Sequence, residues 1–171
     1  MVERIIEIFE KFDTDKNSKG HNYGPYYAKH LPENPKKILE IGVKDGASIR
    51  AWREIYPDAK IYGADLFQET TYPFMEDWVQ WFKGNQADHR LLADLRSHGP
   101  FDIIIDDGSH NWRDQLMTFY GLWGCCDLYV VEDIFLDNFW SQGLPVDDNI
   151  KFLNPSAKIY NYEKIKFFYA P

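Results

Sequence analysis

Four short apolar runs, each with a carboxylate at or near its end, constrain this chain more than any other feature: KKILEIGV from Lys36, AKIYGADL from Ala59, FDIIIDD from Phe101 and CDLYVVEDI from Cys126. Runs this apolar, without alternating polar positions, fit strands covered on both faces, the condition of a parallel sheet between helical layers. Helical spacing fills the intervals at residues 47–56, 89–97 and 112–123. Strands alternating with helices make βαβ units. Residues 74–82 stay open between a helix and a third strand that would run to Gly84. Two last apolar stretches, 158–162 and 164–169, have almost nothing between them, so they predict an antiparallel hairpin at the sheet edge. At the other end Val2, Ile5, Ile6, Phe9 and Phe12 share one helical face, and this amphipathic helix stops at Asp13-Thr14-Asp15-Lys16. Residues 17–27 read as an ordered loop leading into a short helix at 26–30. The expected fold is α/β: a Rossmann-like, doubly wound, mostly parallel sheet with an antiparallel C-terminal hairpin. The 171 residues suit one structural domain, with 1–35 as an N-terminal helix and covering loop and 36–171 as the core.

Charge and composition narrow the partners. Nineteen Lys and Arg against 27 Asp and Glu leave a formal charge of −8, which repels phosphate backbones and removes the counterion-release drive for nucleic-acid binding. No apolar run reaches the length of a membrane span. The first residues, MVERIIEIFEKF, carry charge throughout and do not read as a signal peptide. The two cysteines, Cys125 and Cys126, are adjacent, which suits neither a disulfide nor a zinc site. They are expected to be buried thiols in a reducing cytoplasm. The expected partner is a small molecule, and a homo-oligomer is compatible with all of this.

The chemistry concentrates at the ends of the apolar runs. In ILEIGVKDGAS, Glu40, Gly42, Gly46 and Ser48 sit where the first strand turns into its helix. Glycines there let backbone approach a ligand closely, beside a helix N-terminus. The spacing breaks G-x-G-x-x-G, with Lys44 at the second glycine and Ala47 at the third, and follows instead the E-x-G-x-x-x-G of class I methyltransferases. Asp65 ends the next strand, nineteen positions after Gly46, where a carboxylate can accept from both ribose hydroxyls. Asn85 or Gln86, in the loop after the third strand, could read an adenine edge, while Asp88 could cap the following helix. The sharpest cluster is Asp106-Asp107-Gly108-Ser109-His110, with Glu132-Asp133 closing the next run. Carboxylates converging on one crevice repel each other unless a cation neutralises them. Asp107, Glu132 and Asp133 form an oxygen set suited to Mg²⁺ or Mn²⁺, and His110 beside them could serve as a general base. The competing reading is that Asp107 or Asp133 caps the element after its strand, and that His110 is structural. The early segment Thr14-Asp15-Lys16, Gly20-His21-Asn22-Tyr23, Tyr26-Tyr27 and His30-Leu31 looks like a lid, or else a packed arm.

TDK, GHNYGPYYAKHL, ILEIGVKDGASI, GADL, GNQAD, IIIDDGSH and VVEDI together resemble the metal-dependent sugar O-methyltransferases of macrolide antibiotic pathways, of the mycinamicin and demethylmacrocin type, from about Asp13 to Asp133. The resemblance implies S-adenosylmethionine as methyl donor and Mg²⁺ on a sugar's vicinal hydroxyls. By matching positions it gives Asp107, Glu132 and Asp133 as metal ligands and His110, with Asp107, as the catalytic pair. The cofactor contacts are then Glu40, Gly42, Gly46, Ser48, Asp65, Gln86, Asp106 and Tyr23. Compared with that family, the chain is expected to lack an additional N-terminal domain and to have shorter substrate-covering loops after Asp133. Two other readings stand beside this one. An NAD(P)-dependent oxidoreductase on a similar fold is opposed by the broken glycine pattern. A catalytically silent cofactor-binding module is opposed by the intact acidic and histidine set.

Overall fold

The computed structural model describes residues 2–66, 77–134 and 156–170. Seven strands form one sheet among these residues, in the order β3-β2-β1-β4-β5-β7-β6. They are β1 (Lys37–Ile41), β2 (Lys60–Asp65), β3 (Val79–Lys83), β4 (Phe101–Asp106), β5 (Cys126–Val131), β6 (Lys158–Asn161) and β7 (Lys166–Tyr169). The first five are parallel, and β7 joins β5 antiparallel with β6 outside it. The helices are α1 (Val2–Lys11), α2 (Gly24–His30), α3 (Ala47–Ile55), α4 (His89–His98) and α5 (Trp112–Leu122). The expected mostly parallel α/β sheet with an antiparallel hairpin at its edge is the one observed.

The apolar runs are continuous because both sheet faces are covered. Ile103 and Ile105 point into a core with Phe9, Tyr27 and Trp52 from α1, α2 and α3. Ile104, between them, points into a second core with Leu92, Leu95, Phe119 and Leu122 from α4 and α5. Alternation along the strand therefore distributes one unbroken isoleucine run between two hydrophobic layers.

Several local expectations need adjustment. Residues 77–78 form a turn and strand begins at Val79, so the ambiguous segment 74–82 is strand in its second half, while 74–76 lie outside the described residues. The second helix starts at Gly24, earlier than expected, because Pro25 in its first turn supplies a preset φ. Its His30 accepts or donates at both ring nitrogens, to Tyr162 at 2.7 Å and Tyr169 at 3.0 Å, tying the C-terminal hairpin to the N-terminal segment. Cys126 is buried as expected, and Cys125 is only half-buried. Among the described residues no helix is long and apolar enough to cross a membrane.

Candidate active site

Strand order and register bring the motifs together. The chain leaves β1 toward β2 and β3, then returns to β4 on the other side of β1, so strand order reverses between β1 and β4. Such a switch point opens a crevice at the carboxyl ends of the strands. Ile41 is in register with Asp106, and Asp106 with Val131. The ladder runs one step further, with Asp107 N donating to Ile41 O at 2.8 Å and Glu132 N to Asp106 O at 2.9 Å. Gly42, Asp107 and Glu132 thus leave three neighbouring strands at one level.

A cavity of about 710 Å³ occupies this crevice. Of the cofactor candidates, Gly42, Ser48, Asp65 and Gln86 line it, together with Asp107 and His110. Gly42 and Gly46 both have left-handed backbones, with φ of 85° and 74°, as the glycine turn requires. Asp65 closes that turn from below: Oδ2 accepts from Val43 N at 2.7 Å and Lys44 N at 2.9 Å. Asp65→Ala should therefore weaken S-adenosylhomocysteine binding by roughly 1.5–3 kcal/mol, the range for hydrogen bonds to a charged group. Calorimetry checks this, and unchanged affinity would remove Asp65 from the cofactor site.

Glu40 and Asp106 lie behind the cavity and do not line it, and Gln86 reaches it without a free side chain. Glu40 is fully buried, accepting from Ser48 Oγ at 2.8 Å, and burial lifts its pKa to about 7. Gln86 spends its side chain internally. Its amide donates to Asp106 Oδ1 at 3.0 Å and its carbonyl accepts from Ser109 N at 2.6 Å, bracing the loop after β3 against the loop after β4. A Cβ at Gly108 would fall 2.0 Å from Gln86 Oε1, so a side chain there would displace the Gln86 amide. Asp106 sits behind the cavity, fully buried, held by Gln86 and by Tyr129 OH at 3.2 Å.

Burial raises the Asp106 pKa from 3.8 to about 7. A carboxyl whose folded pKa is raised stabilises fully below its unfolded value, and loses that contribution as pH climbs through the folded value. The gap between 3.8 and about 7 corresponds to about 4 kcal/mol. Folding stability is thus expected to decline from pH 4 to pH 7. Asp106→Asn, neutral throughout, should flatten this decline in denaturant titrations. An unchanged slope would mean that Asp106 is not the group responsible.

The acidic cluster is met by side chains from the N-terminal segment. Lys16 is fully buried. Its Nζ lies 2.6 Å from Asp107 Oδ2 and 3.0 Å from Glu132 Oε2, with Glu40 at 3.6 Å and Asp15 at 3.7 Å. Burial opposes its charge, but the Asp107, Glu132 and Glu40 carboxylates outweigh burial and hold its pKa well above the ordinary lysine value. Burial raises Asp107 and Glu132 in turn, with Lys16 opposing the rise. Glu132 also accepts from Tyr27 OH. Tyr23 OH donates to Asp133 Oδ1 at 2.7 Å, and His21 Nδ1 lies 2.6 Å from the same oxygen. Tyr23, expected at the cofactor, is thus placed on the acidic side. The suspected lid divides in two: residues of the turn after α1, from Asp13 to Gly20, line the cavity, while Tyr23 and Tyr27 are buried against Asp133 and Glu132. Lys16, His21 and Tyr27 carry partnerships that the sequence reading did not assign.

Among the described residues, Asp107, His110 and Asp133 bring ligand atoms within 4.8 Å of one another. Oxygens bound to Mg²⁺ at 2.0–2.1 Å stand at most about 4.2 Å apart, so a small closure would suit the Asp107 and Asp133 oxygens to a divalent ion, with the His110 nitrogen beside them. Glu132 stands beside it, turned toward Lys16 and Tyr27. His110 Nε2 is 3.7 Å from Asp133 Oδ2. Both residues have left-handed backbones, φ 56° and 52°, a conformation costing roughly 1–2 kcal/mol for a residue with a Cβ. Strain of this kind gathers at functional sites, and here it falls on two facing candidates.

Comparison with known proteins places the chain beside sugar O-methyltransferases. No family model matches the chain. It is 33% identical to the 8-demethyl-8-(2-methoxy-alpha-L-rhamnosyl)-tetracenomycin-C 3'-O-methyltransferase of Streptomyces olivaceus, over 71% of this chain and 34% of that one. It is 31% identical to the mycinamicin VI 2''-O-methyltransferase of Micromonospora griseorubida, over 77% of this chain and 36% of that one. The chain therefore spans about a third of the length of these relatives. Among solved structures it superposes on the MycE methyltransferase of the mycinamycin biosynthetic pathway, in complex with Mg, SAH and mycinamycin VI, with a TM-score of 0.83 and 25% identity. That match covers 97% of this chain and 54% of the other.

Proposed function

We propose that this chain, a homologue of the macrolide and tetracenomycin sugar O-methyltransferases with the class I methyltransferase fold, methylates a hydroxyl of a sugar or other vicinal diol, using S-adenosylmethionine and Mg²⁺. The observation that carries the reading is the single crevice in which a glycine turn and Asp65 stand beside the Asp107–His110–Asp133 cluster. The glycine turn and Asp65 offer what a nucleoside needs, close backbone and a ribose acceptor. The carboxylates offer what a divalent ion needs.

Each residue then has a task. Asp107 and Asp133 would hold the ion, with Glu132 the third ligand. Gln115 fixes the backbone of Glu132 by donating to its carbonyl at 3.0 Å. A bound Mg²⁺ would supply Lewis acidity to a hydroxyl that is otherwise a poor nucleophile at neutral pH. His110 would take the hydroxyl proton, and Asp133 beside its Nε2 would stabilise the imidazolium. The acidic surroundings also favour a positively charged sulfonium. Lys16, Tyr23 and Tyr27 pack against the carboxylates from the N-terminal segment.

The test is a methyl-transfer assay over a panel of sugars with and without vicinal diols, paired with calorimetry against S-adenosylhomocysteine and NAD⁺. Mg²⁺-dependent transfer to diols supports the assignment. Tight NAD⁺ binding without S-adenosylhomocysteine binding would sink it in favour of an oxidoreductase. Cofactor binding with no transfer to any acceptor would favour a silent binding module.

A further inference from the structure

We propose that Lys16 is a resident cation of the acidic cluster, holding two of the metal-ligand carboxylates, Asp107 and Glu132, assembled when no divalent ion is bound. The inference rests on the metal reading above. Its geometry is independent of any ligand: a fully buried ammonium within hydrogen-bond distance of Asp107 Oδ2 and Glu132 Oε2, with Glu40 and Asp15 inside 4 Å.

The turn that carries Lys16 is built to deliver it. The Lys16 carbonyl accepts from both Tyr23 N, at 3.0 Å, and Gly24 N, at 3.3 Å, so its backbone is fixed to the start of α2. His21 N closes the turn onto Asp15 O at 2.6 Å. Gly20 leaves the space for that closure, since a Cβ there would lie 2.1 Å from Asp15 O. The lysine is therefore not a surface side chain that has drifted inward. Its ammonium lies between carboxylates from three neighbouring strands, Glu40 within β1, Asp107 just after β4 and Glu132 just after β5. Buried carboxylates at such spacing repel one another, and desolvation adds to the penalty unless a cation is present. A protein that must bind and release its metal passes through a state with no divalent ion. In that state Lys16 supplies the positive charge, and it keeps the ligands close to the geometry that the ion will meet, which lowers the ordering cost of binding. The same side chain ties the cavity-lining turn to the cluster.

Lys16 is thus a positioning residue, and thermal unfolding of the full chain tests it without substrate, methyl donor or turnover. The proteins are wild type, Lys16→Met, and Lys16→Met combined with Glu132→Gln. Each is melted in chelator and across a Mg²⁺ series. In chelator, Lys16→Met is expected to lower Tm by roughly 10 °C or more, because it leaves buried carboxylates unpaired. Saturating Mg²⁺ should close at least half of the gap to wild type, since the ion then neutralises the same oxygens. An equal Tm in chelator, or a measurable gap that Mg²⁺ does not narrow, overturns the assignment. If Lys16→Met gives no folded protein, the double variant decides. Removing one carboxylate charge together with the lysine should restore a cooperative transition in chelator, and continued failure to fold overturns the proposal. Failure of the methyltransferase reading would appear elsewhere, as absent transfer with these melting curves unchanged.

Discussion

Removing divalent cations with a chelator, or replacing Asp133 by Asn, is expected to lower methyl transfer to a vicinal diol by roughly 10²–10³-fold, the several kcal/mol that a Lewis-acidic ion contributes. The prediction stands on Asp107 and Asp133 bringing oxygens within 4.8 Å of each other, with His110 beside them, and on the crowding of carboxylates at the ends of β4 and β5. Asn is the informative replacement because Asp133 has a φ of 52°, and Asn tolerates the left-handed conformation better than other residues with a side chain. A loss of rate then reports the missing charge and not a rebuilt loop. The same logic selects His110→Asn, since His110 has a φ of 56°. That variant should lose about 10²–10⁴ in turnover while keeping its dependence on Mg²⁺, as expected for a general base that is not an ion ligand. Steady-state kinetics in chelator and in a Mg²⁺ series check both. Full turnover in chelator would remove the metal from the mechanism. A His110→Asn enzyme as fast as wild type would assign the proton to another group or to water.

Much of this site was legible in the sequence because it lies at strand ends. An apolar run such as FDIIIDD announces both the buried strand and the place where the chain emerges from it, so Asp107 could be put at the crevice before any geometry was known. Gly42 and Asp65 were legible for the same reason, through their spacing along consecutive βα units. What sequence could not show is where side chains from outside that pattern would end. Lys16 has no periodic neighbours that mark it as buried, and a lysine in a Gly- and Asn-rich segment reads as solvent-exposed. Its burial follows from three carboxylates that are distant in sequence and adjacent only after β1, β4 and β5 align. Gln86 shows what position alone leaves out. Its position in the loop after β3 suggested adenine recognition, but the amide is drawn to Asp106 and Ser109, because a buried carboxyl and an open backbone N–H must both find partners. The family resemblance puts Tyr23 at the cofactor. The α2 helix, started early by Pro25, turns it to Asp133 instead.

Gly42→Ala is expected to damage folding, cofactor binding and the metal site together. Gly42 has a φ of 85°, which alone strains any residue with a Cβ. A Cβ there would also fall 1.9 Å from Asp107 O and 2.4 Å from Asp107 C. These are backbone atoms at the end of β4, so no side-chain rotation relieves the clash. Relief requires the β1 turn and the Asp107 loop to separate, yet Gly42 N is held by Ala64 O at 2.9 Å and Asp107 N by Ile41 O at 2.8 Å. The expected loss is about 2–4 kcal/mol, combining left-handed strain with overpacking, or roughly 5–15 °C in Tm for a chain of this size. S-adenosylhomocysteine affinity should fall as the turn is displaced from Asp65. The response of Tm to Mg²⁺ should weaken as Asp107 is pushed away from Asp133. Gly46→Asn is the control. Gly46 is also left-handed, at 74°, but Asn accepts that conformation, so its cost should stay near 1 kcal/mol. Thermal melts and calorimetry on the two variants separate a general intolerance of the turn from the specific contact with Asp107. A Gly42→Ala protein with wild-type Tm and affinity would show that the two strand ends part freely, and that the cofactor turn and the metal loop are not mechanically joined at this point.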